Sequence, residues 1–237
     1  MLDKAKVKEI PMLFTDEMAN ACRTGIKTET RRLRGLEEVN QSPENWEYKY
    51  PEKDRLVFLN KEDGQLYYMK NHYGLEGDVI WVREAWKGTL IPDNYQKPMR
   101  CIQYRSDLSI KMIDDSEFEW FDNRFKDGKF KWEPNMFLRR VFARTFLSRT
   151  FIRCERLQDI TPESAVAEGI YIEKLSDGIN LTCPARWRYS SEGMDIVFPR
   201  PEQAYKALWE LINGPESWET NPWVIVVGFQ KVDNYEQ

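Results

Sequence analysis

Apolar and polar positions alternate in blocks along the chain, and each block predicts an element. The run "IPMLFT" (10–15) is short, apolar and predicts a strand. Thr15 follows as an N-cap, with Asp16 and Glu17 in the first turn of a helix whose apolar face carries Met18, Ala21 and Cys22. Gly25 is placed to end that helix, so "KTETRR" leaves it and turns toward a second strand. Residues 35–75 are polar and irregular, with Trp46, Tyr48, Tyr50, Tyr67 and Tyr68 scattered through them and one hairpin around Glu62-Asp63-Gly64. After the turn signal Gly77-Asp78, the residues Val79, Trp81 and Arg83 alternate with Ile80, Val82 and Glu84, which is the period of a strand.

A second polar, aromatic-rich stretch covers 92–135. The period-2 segment 141–157 predicts one strand or a bent pair. A short helix follows at 159–170, with Thr161 as N-cap, Pro162 at its first position and Gly169 at its end. Residues 171–200 form a third irregular stretch. The clearest amphipathic helix is 201–214, with Ala204, Leu208, Leu211 and Ile212 on one face. A closing strand at 221–232 is apolar at successive positions and reads as buried on both faces. Too few helices alternate with strands for a doubly wound parallel sheet. The order suits an α+β, mostly β fold: one domain over 1–237, a small β-barrel with flanking helices and insertions at about 35–75, 92–135 and 171–200.

Composition narrows the classes of function. Of 237 residues, 41% are hydrophobic and 31% charged, which is enough apolar material for one substantial core. The net charge of -4 and the pI of about 5.4 exclude a strongly basic coat and argue against long duplex DNA as a partner. A local basic patch stays open. Aromatic residues reach 14%, nine of them Trp, which serve cores and also stack on bases. Cys22, Cys101, Cys154 and Cys183 are widely spaced and His72 is the lone histidine, so ligand count argues against a zinc site. Free thiols fit a reducing cytoplasm. No apolar run reaches the length of a signal peptide core or a membrane span.

The candidate chemistry concentrates in "GIKTETRR" (25–32). Lys27 and Thr30 are three apart. In a turn their side chains can meet, whereas in an extended chain they point to opposite faces. A threonine hydroxyl becomes a nucleophile only when a base takes its proton. A lysine can serve as that base only if burial or nearby charge, here Arg31 and Arg32, lowers its pKa. Ordinary solvated charges are the plain alternative. Glu168 sits at the C-terminal end of a helix, where the dipole disfavours a carboxylate, which hints at a role elsewhere. Arg139, Arg140, Arg144, Arg149, Arg153 and Arg156, interleaved with Phe142, Phe146 and Phe151, form a candidate RNA track or a face paired with acids. Arg83 and Glu84 are neighbours on one strand, so one points inward, and Arg32 is a candidate partner for Glu84. Trp209, Trp218 and Trp223 read as core.

Four stretches together, "PMLFT…GIKTETRR", "GDVIWVREAW", "RCERLQDITPESAVAEGI" and "ALWELINGPESWETNPWVIVVGF", resemble the ASCH-domain family, and in particular its larger phage-associated members. The resemblance touches both ends and the middle of the chain and leaves the three insertions uncovered. It implies a PUA-like β-barrel and recognition of RNA or of a modified nucleoside. A compact bacterial branch of that family consists of acetylcytidine amidohydrolases. By its G-x-K-x-x-T motif and helix glutamate, the resemblance implies Thr30 as nucleophile, Lys27 as its activator and Glu168 as general acid/base. No metal or other cofactor is needed there. Arg31, Arg32, Arg83, Glu84 and Trp86 would then contact the substrate, and Arg144, Arg149 and Arg153 would contact RNA. Three functions follow as expectations: binding of RNA or a nucleoside in a polar pocket, hydrolysis of an N4-acylated cytidine, or a phage-related structural or assembly role without a small ligand.

Overall fold

The computed structural model describes residues 7–92, 98–170, 172–174, 180–182, 198–233 and 235. In chain order the strands and helices are β1 (Glu9–Leu13), α1 (Asp16–Thr24), β2 (Glu29–Arg32), β3 (Trp46–Glu52), β4 (Arg55–Asn60), β5 (Leu66–Lys70), β6 (Val79–Arg83), β7 (Trp86–Ile91), β8 (Met99–Tyr104), β9 (Ile110–Met112), α2 (Phe118–Arg124), β10 (Phe146–Arg156), α3 (Pro162–Ala167), β11 (Ile172–Lys174), β12 (Asn180–Thr182), α4 (Pro201–Asn213) and β13 (Trp223–Val232). The fold is α+β and mostly sheet, with the strands divided among several small sheets. The chain forms two compact units.

The first unit comprises Met1–Lys8, Thr24–Asp78 and Ser148–Gln230. Its main sheet has the order β10-β13-β2. Val224 to Val227 of β13 are wholly buried, as a central strand requires. β2 pairs antiparallel with β13, with Arg31 opposite Val226 and Thr30 opposite Val227. The first insertion is a three-stranded antiparallel sheet, β3-β4-β5, more regular than its polarity predicts. Leu56, Val57 and Phe58 supply its core, and Phe58 meets Trp223 edge-on at 5.4 Å. The expected hairpin is present, turning between Asn60 and Leu66 with Gly64 at φ 69°. Asn40 closes the sheet margin by exchanging two hydrogen bonds with the backbone of Trp223. The third insertion contributes the antiparallel pair β11-β12, and its residues 171, 175–179 and 183–197, Cys183 included, lie outside the described residues.

On α4 the buried residues are Ala204, Tyr205, Leu208 and Trp209, whereas Leu211 and Ile212 are exposed. The buried stripe is therefore rotated from the expected one. Two aromatic rings bury more surface than the two aliphatic residues could, and they set which side faces inward.

The second unit comprises Glu9–Arg23, Val79–Leu147 and Lys231–Gln237. Here β1 pairs parallel with β6, from Glu9 opposite Val79 to Leu13 opposite Arg83. Val82 N donates to Thr145 O just before β10, which enters both units. The second insertion is also folded: β7-β8-β9 form an antiparallel sheet, and α2 packs an aromatic cluster of Trp86, Tyr104, Phe121, Phe125 and Phe142 against it. The scattered aromatics of 92–135 are thus largely core.

Candidate functional site

The segment after α1 is held by backbone bonds on two sides. Gly25 takes φ 78°, a left-handed value that suits glycine. Thr28 N then donates to Ala167 O, and Thr28 O accepts from Phe229 N, both at 2.8 Å. These bonds bring Lys27 beside the C-terminal end of α3, whose start is set by Pro162 and by Thr161, which accepts from Ser164 N.

Glu168, at that end, is 3% exposed, as is Lys27. Lys27 Nζ donates to Glu168 Oε2, and also to the backbone oxygen of Glu168 at 2.6 Å. Arg31 Nη1 donates to Glu168 Oε1 at 3.1 Å. The two cations explain a carboxylate at a helix C-terminus, since they supply the positive charge that this end favours. Arg31 is itself forked: Nε and Nη2 donate to Glu155 Oε1 at 2.9 and 2.6 Å. Its Cζ lies 5.5 Å from the ring centroid of Tyr205. Arg153 Nε donates to Glu155 Oε2 at 2.9 Å, and Arg153 Nη2 donates to Ser164 Oγ at 3.2 Å. Ser164 in turn donates to Glu29 Oε2 at 2.8 Å. Three cations, Lys27, Arg31 and Arg153, thus face three carboxylates, Glu29, Glu155 and Glu168.

Burial pushes the Glu168 carboxyl up, but the charges and hydrogen bonds of Lys27 and Arg31 outweigh it and hold it below the usual carboxylate range. Burial and the same carboxylate raise the Tyr205 phenol well above its ordinary value, so it stays a hydrogen-bond donor to Glu168. Burial pulls Arg31 down, and the Glu168 and Glu155 charges raise it by more.

Thr30 is buried but stands between Glu29 and Arg31 in β2. Strand alternation turns it, with Arg32, to the face opposite the cluster. Lys27 and Glu168 are brought together, and the expected nucleophile is not brought to them. Lys27 donates to a carboxylate and a carbonyl, and neither bond is to a hydroxyl. Four members of the network escaped sequence reasoning: Glu29, Glu155, Ser164 and Tyr205. Only Glu155 left a signal, two positions from Arg153 on a period-2 strand.

The remaining candidates on the second unit are occupied. Glu84 is almost fully buried, and its partner is Arg144, where the sequence suggested Arg32: Nε to Oε1 at 2.8 Å and Nη2 to Oε2 at 2.7 Å. Ser106 Oγ donates to Glu84 as well, at 2.6 Å. Arg144 also binds both oxygens of Asp107 at 3.0 Å and stacks 3.9 Å from the Tyr104 centroid. Although burial opposes it, hydrogen bonds from Arg144 and Ser109 hold Asp107 down to about 2. Arg83 donates to Leu138 O at 3.3 Å and lies over Trp81. Trp86 is a core residue. Arg149 and Arg153 lie on the first unit, the former nearly buried and the latter partly exposed.

Among the described residues no group of three His, Cys, Asp or Glu is arranged to hold a metal ion, and no helix is long and apolar enough to cross a membrane. Comparison with family models, with curated proteins and with solved structures gives no match. The site is therefore read from its own geometry.

Proposed function

We propose that this protein binds a nucleoside, free or as a unit of RNA, at the polar cluster around Glu168. The observation that carries the reading is the convergence of Lys27, Arg31 and Tyr205 on one buried carboxylate, with Glu29, Glu155, Ser164 and Arg153 at its margin. Buried charge of this density is costly to keep for stability alone, and such clusters gather at functional sites. Its groups are the kinds that read a base edge: fixed carboxylate acceptors, guanidinium donors and a hydroxyl. The resemblance to the ASCH-domain family points the same way, and a PUA-like barrel and cytoplasmic location belong to the same proposal.

A second reading, amidohydrolysis of an N4-acylated cytidine, draws support from the Lys27–Glu168 contact, which matches two of the three residues that the resemblance implies. The position of Thr30 on the opposite face of β2 disfavours it. Incubating the protein with N4-acetylcytidine separates the two. Binding predicts saturable affinity with no cytidine released, and loss of that affinity in Glu168→Gln. Cytidine release that disappears in Lys27→Ala, Thr30→Ala and Glu168→Ala would establish the hydrolase instead.

A further inference from the structure

Arg149 is the least satisfied charge among the described residues of the first unit. It retains 5% of its surface, and its Nε and Nη1 are closed off from solvent with no hydrogen-bond partner. The nearest acids do not serve it. Asp78 acts on it only through its charge; Asp78 Oδ1 accepts from Lys8 N at 2.9 Å and Oδ2 from Leu75 N at 2.7 Å. Glu76 likewise contributes charge and no hydrogen bond. A buried guanidinium left in this state is costly, and a proton cannot leave it at ordinary pH. An anion is what it lacks.

The backbone of Arg149 is fixed by two bonds to the turn before β6, Gly77 N to its oxygen and its N to Asp78 O, both 2.9 Å. Its side chain is held by none, so it can turn to an incoming anion with no hydrogen bond to break. Strand alternation puts Phe151, Arg153 and Glu155 on the same face of β10. Phe151 lies flat on Gly228: a Cβ there would stand 2.1 Å from the ring. The glycine seats one side of the ring while Phe151 stays 39% exposed. Arg153 lies over the ring, Cζ 5.2 Å from the centroid, tied down through Glu155 and Ser164. Two positions along a strand span about 7 Å. That is comparable with the separation of a 5′-phosphate from its own base.

We infer that the site takes a 5′-phosphorylated nucleotide unit, with its base packed on the surface formed by Phe151 and the Arg153 guanidinium over it, and its phosphate on Arg149. This rests on the nucleoside reading above and sharpens it from nucleoside to nucleotide. A free mononucleotide and a residue within an RNA strand share this chemistry.

The test measures equilibrium binding of cytidine, N4-acetylcytidine, their 5′-monophosphates and a short single-stranded oligoribonucleotide to the full chain. The monophosphates should bind at least about tenfold more tightly than the nucleosides, the gain expected from charge-assisted bonds to a phosphate. Arg149→Gln should erase that gain, so that each monophosphate binds no more tightly than its nucleoside. Phe151→Leu should weaken nucleoside and nucleotide alike. Thermal melting of each variant without ligand checks that the fold is retained, and Arg149→Lys should restore part of the gain. Tighter binding of the oligomer than of the monophosphates identifies a unit of RNA, and the reverse identifies a free nucleotide. Equal affinities for nucleoside and monophosphate, or a gain that survives Arg149→Gln, would overturn the inference and leave the nucleoside reading standing. Absence of binding to every probe would remove both.

Discussion

Lys27 and Glu168 lie 141 positions apart in the chain and meet as a buried ion pair, with Arg31 on the second carboxylate oxygen. Removing the carboxylate leaves Lys27 buried without a carboxylate partner and Arg31 with Glu155 and Glu29 alone. Glu168→Ala should therefore destabilise the fold by about 3–5 kcal/mol, the range for breaking one side of a buried pair. Glu168→Gln keeps the shape and one acceptor and should cost less. A double change, Lys27→Met with Glu168→Leu, removes charge from both sides and should recover much of the loss. Urea denaturation of the four proteins, fitted with a common slope, checks this. A Glu168→Ala protein as stable as the wild type would mean that the pair contributes nothing.

The same carboxylate makes stability depend on pH in a definite direction. Glu168 and Asp107 both titrate below their ordinary values in the folded chain, Asp107 at about 2 against 3.8. The unfolded chain then binds more protons than the folded one as pH falls through the ordinary carboxylate range. Their contribution is complete above that range and is lost on acidification, for Asp107 between 3.8 and about 2. The melting temperature should thus be flat with respect to these two groups near neutrality and fall below about pH 4. Asp107→Asn should lower the neutral-pH plateau and flatten part of the acid limb. A melting temperature that rises on acidification in this range would contradict the assignment.

Local rules made the outer frame legible. The Thr15 and Thr161 caps, Pro162, the Gly25 stop and the apolar run of β13 are short-range signals, and the elements they mark are present. Glu168 was visible as a residue set against its helix dipole. The relation of Lys27 to Thr30 depended on whether the chain was turned or extended between them. Because β2 runs from Glu29 to Arg32, Thr30 alternates with Arg31, and Arg31 takes the place beside Glu168. Tyr205 and the Arg144 partner of Glu84 were not legible, and Glu155 left only its spacing from Arg153. Each is fixed by contacts between residues 37 to 124 positions apart or more, which no periodicity encodes.

Arg144 illustrates the difference. By residue type it belongs to an RNA track, yet its guanidinium is shared between Glu84 and Asp107 and stacked on Tyr104. Arg144→Ala strands the nearly buried Glu84 carboxylate, so the loss should fall on stability, by about 3–5 kcal/mol. Oligoribonucleotide affinity of the folded variant, and the salt slope of that affinity, should stay as in the wild type, since no phosphate contact is lost. A shallower salt slope with unchanged stability would return Arg144 to the RNA-contacting set.

Gly228 and Phe151 supply a test of the β10 face that is independent of any ligand. Any side chain at 228 enters the space of the Phe151 ring, which would lie 2.1 to 2.5 Å from a new Cβ. Gly228→Ala must push the ring away or bend the wholly buried centre of β13, and overpacking of this kind costs about 1–3 kcal/mol. Phe151→Ala alone should cost less than a core phenylalanine would, because the ring is 39% exposed. If the ring is what forbids a Cβ, combining the two changes should cost less than their sum, since alanine at 228 then has room. Strict additivity in a double-mutant cycle would mean that Phe151 does not lie on Gly228, and the stacking platform would have to be sought elsewhere on the strand.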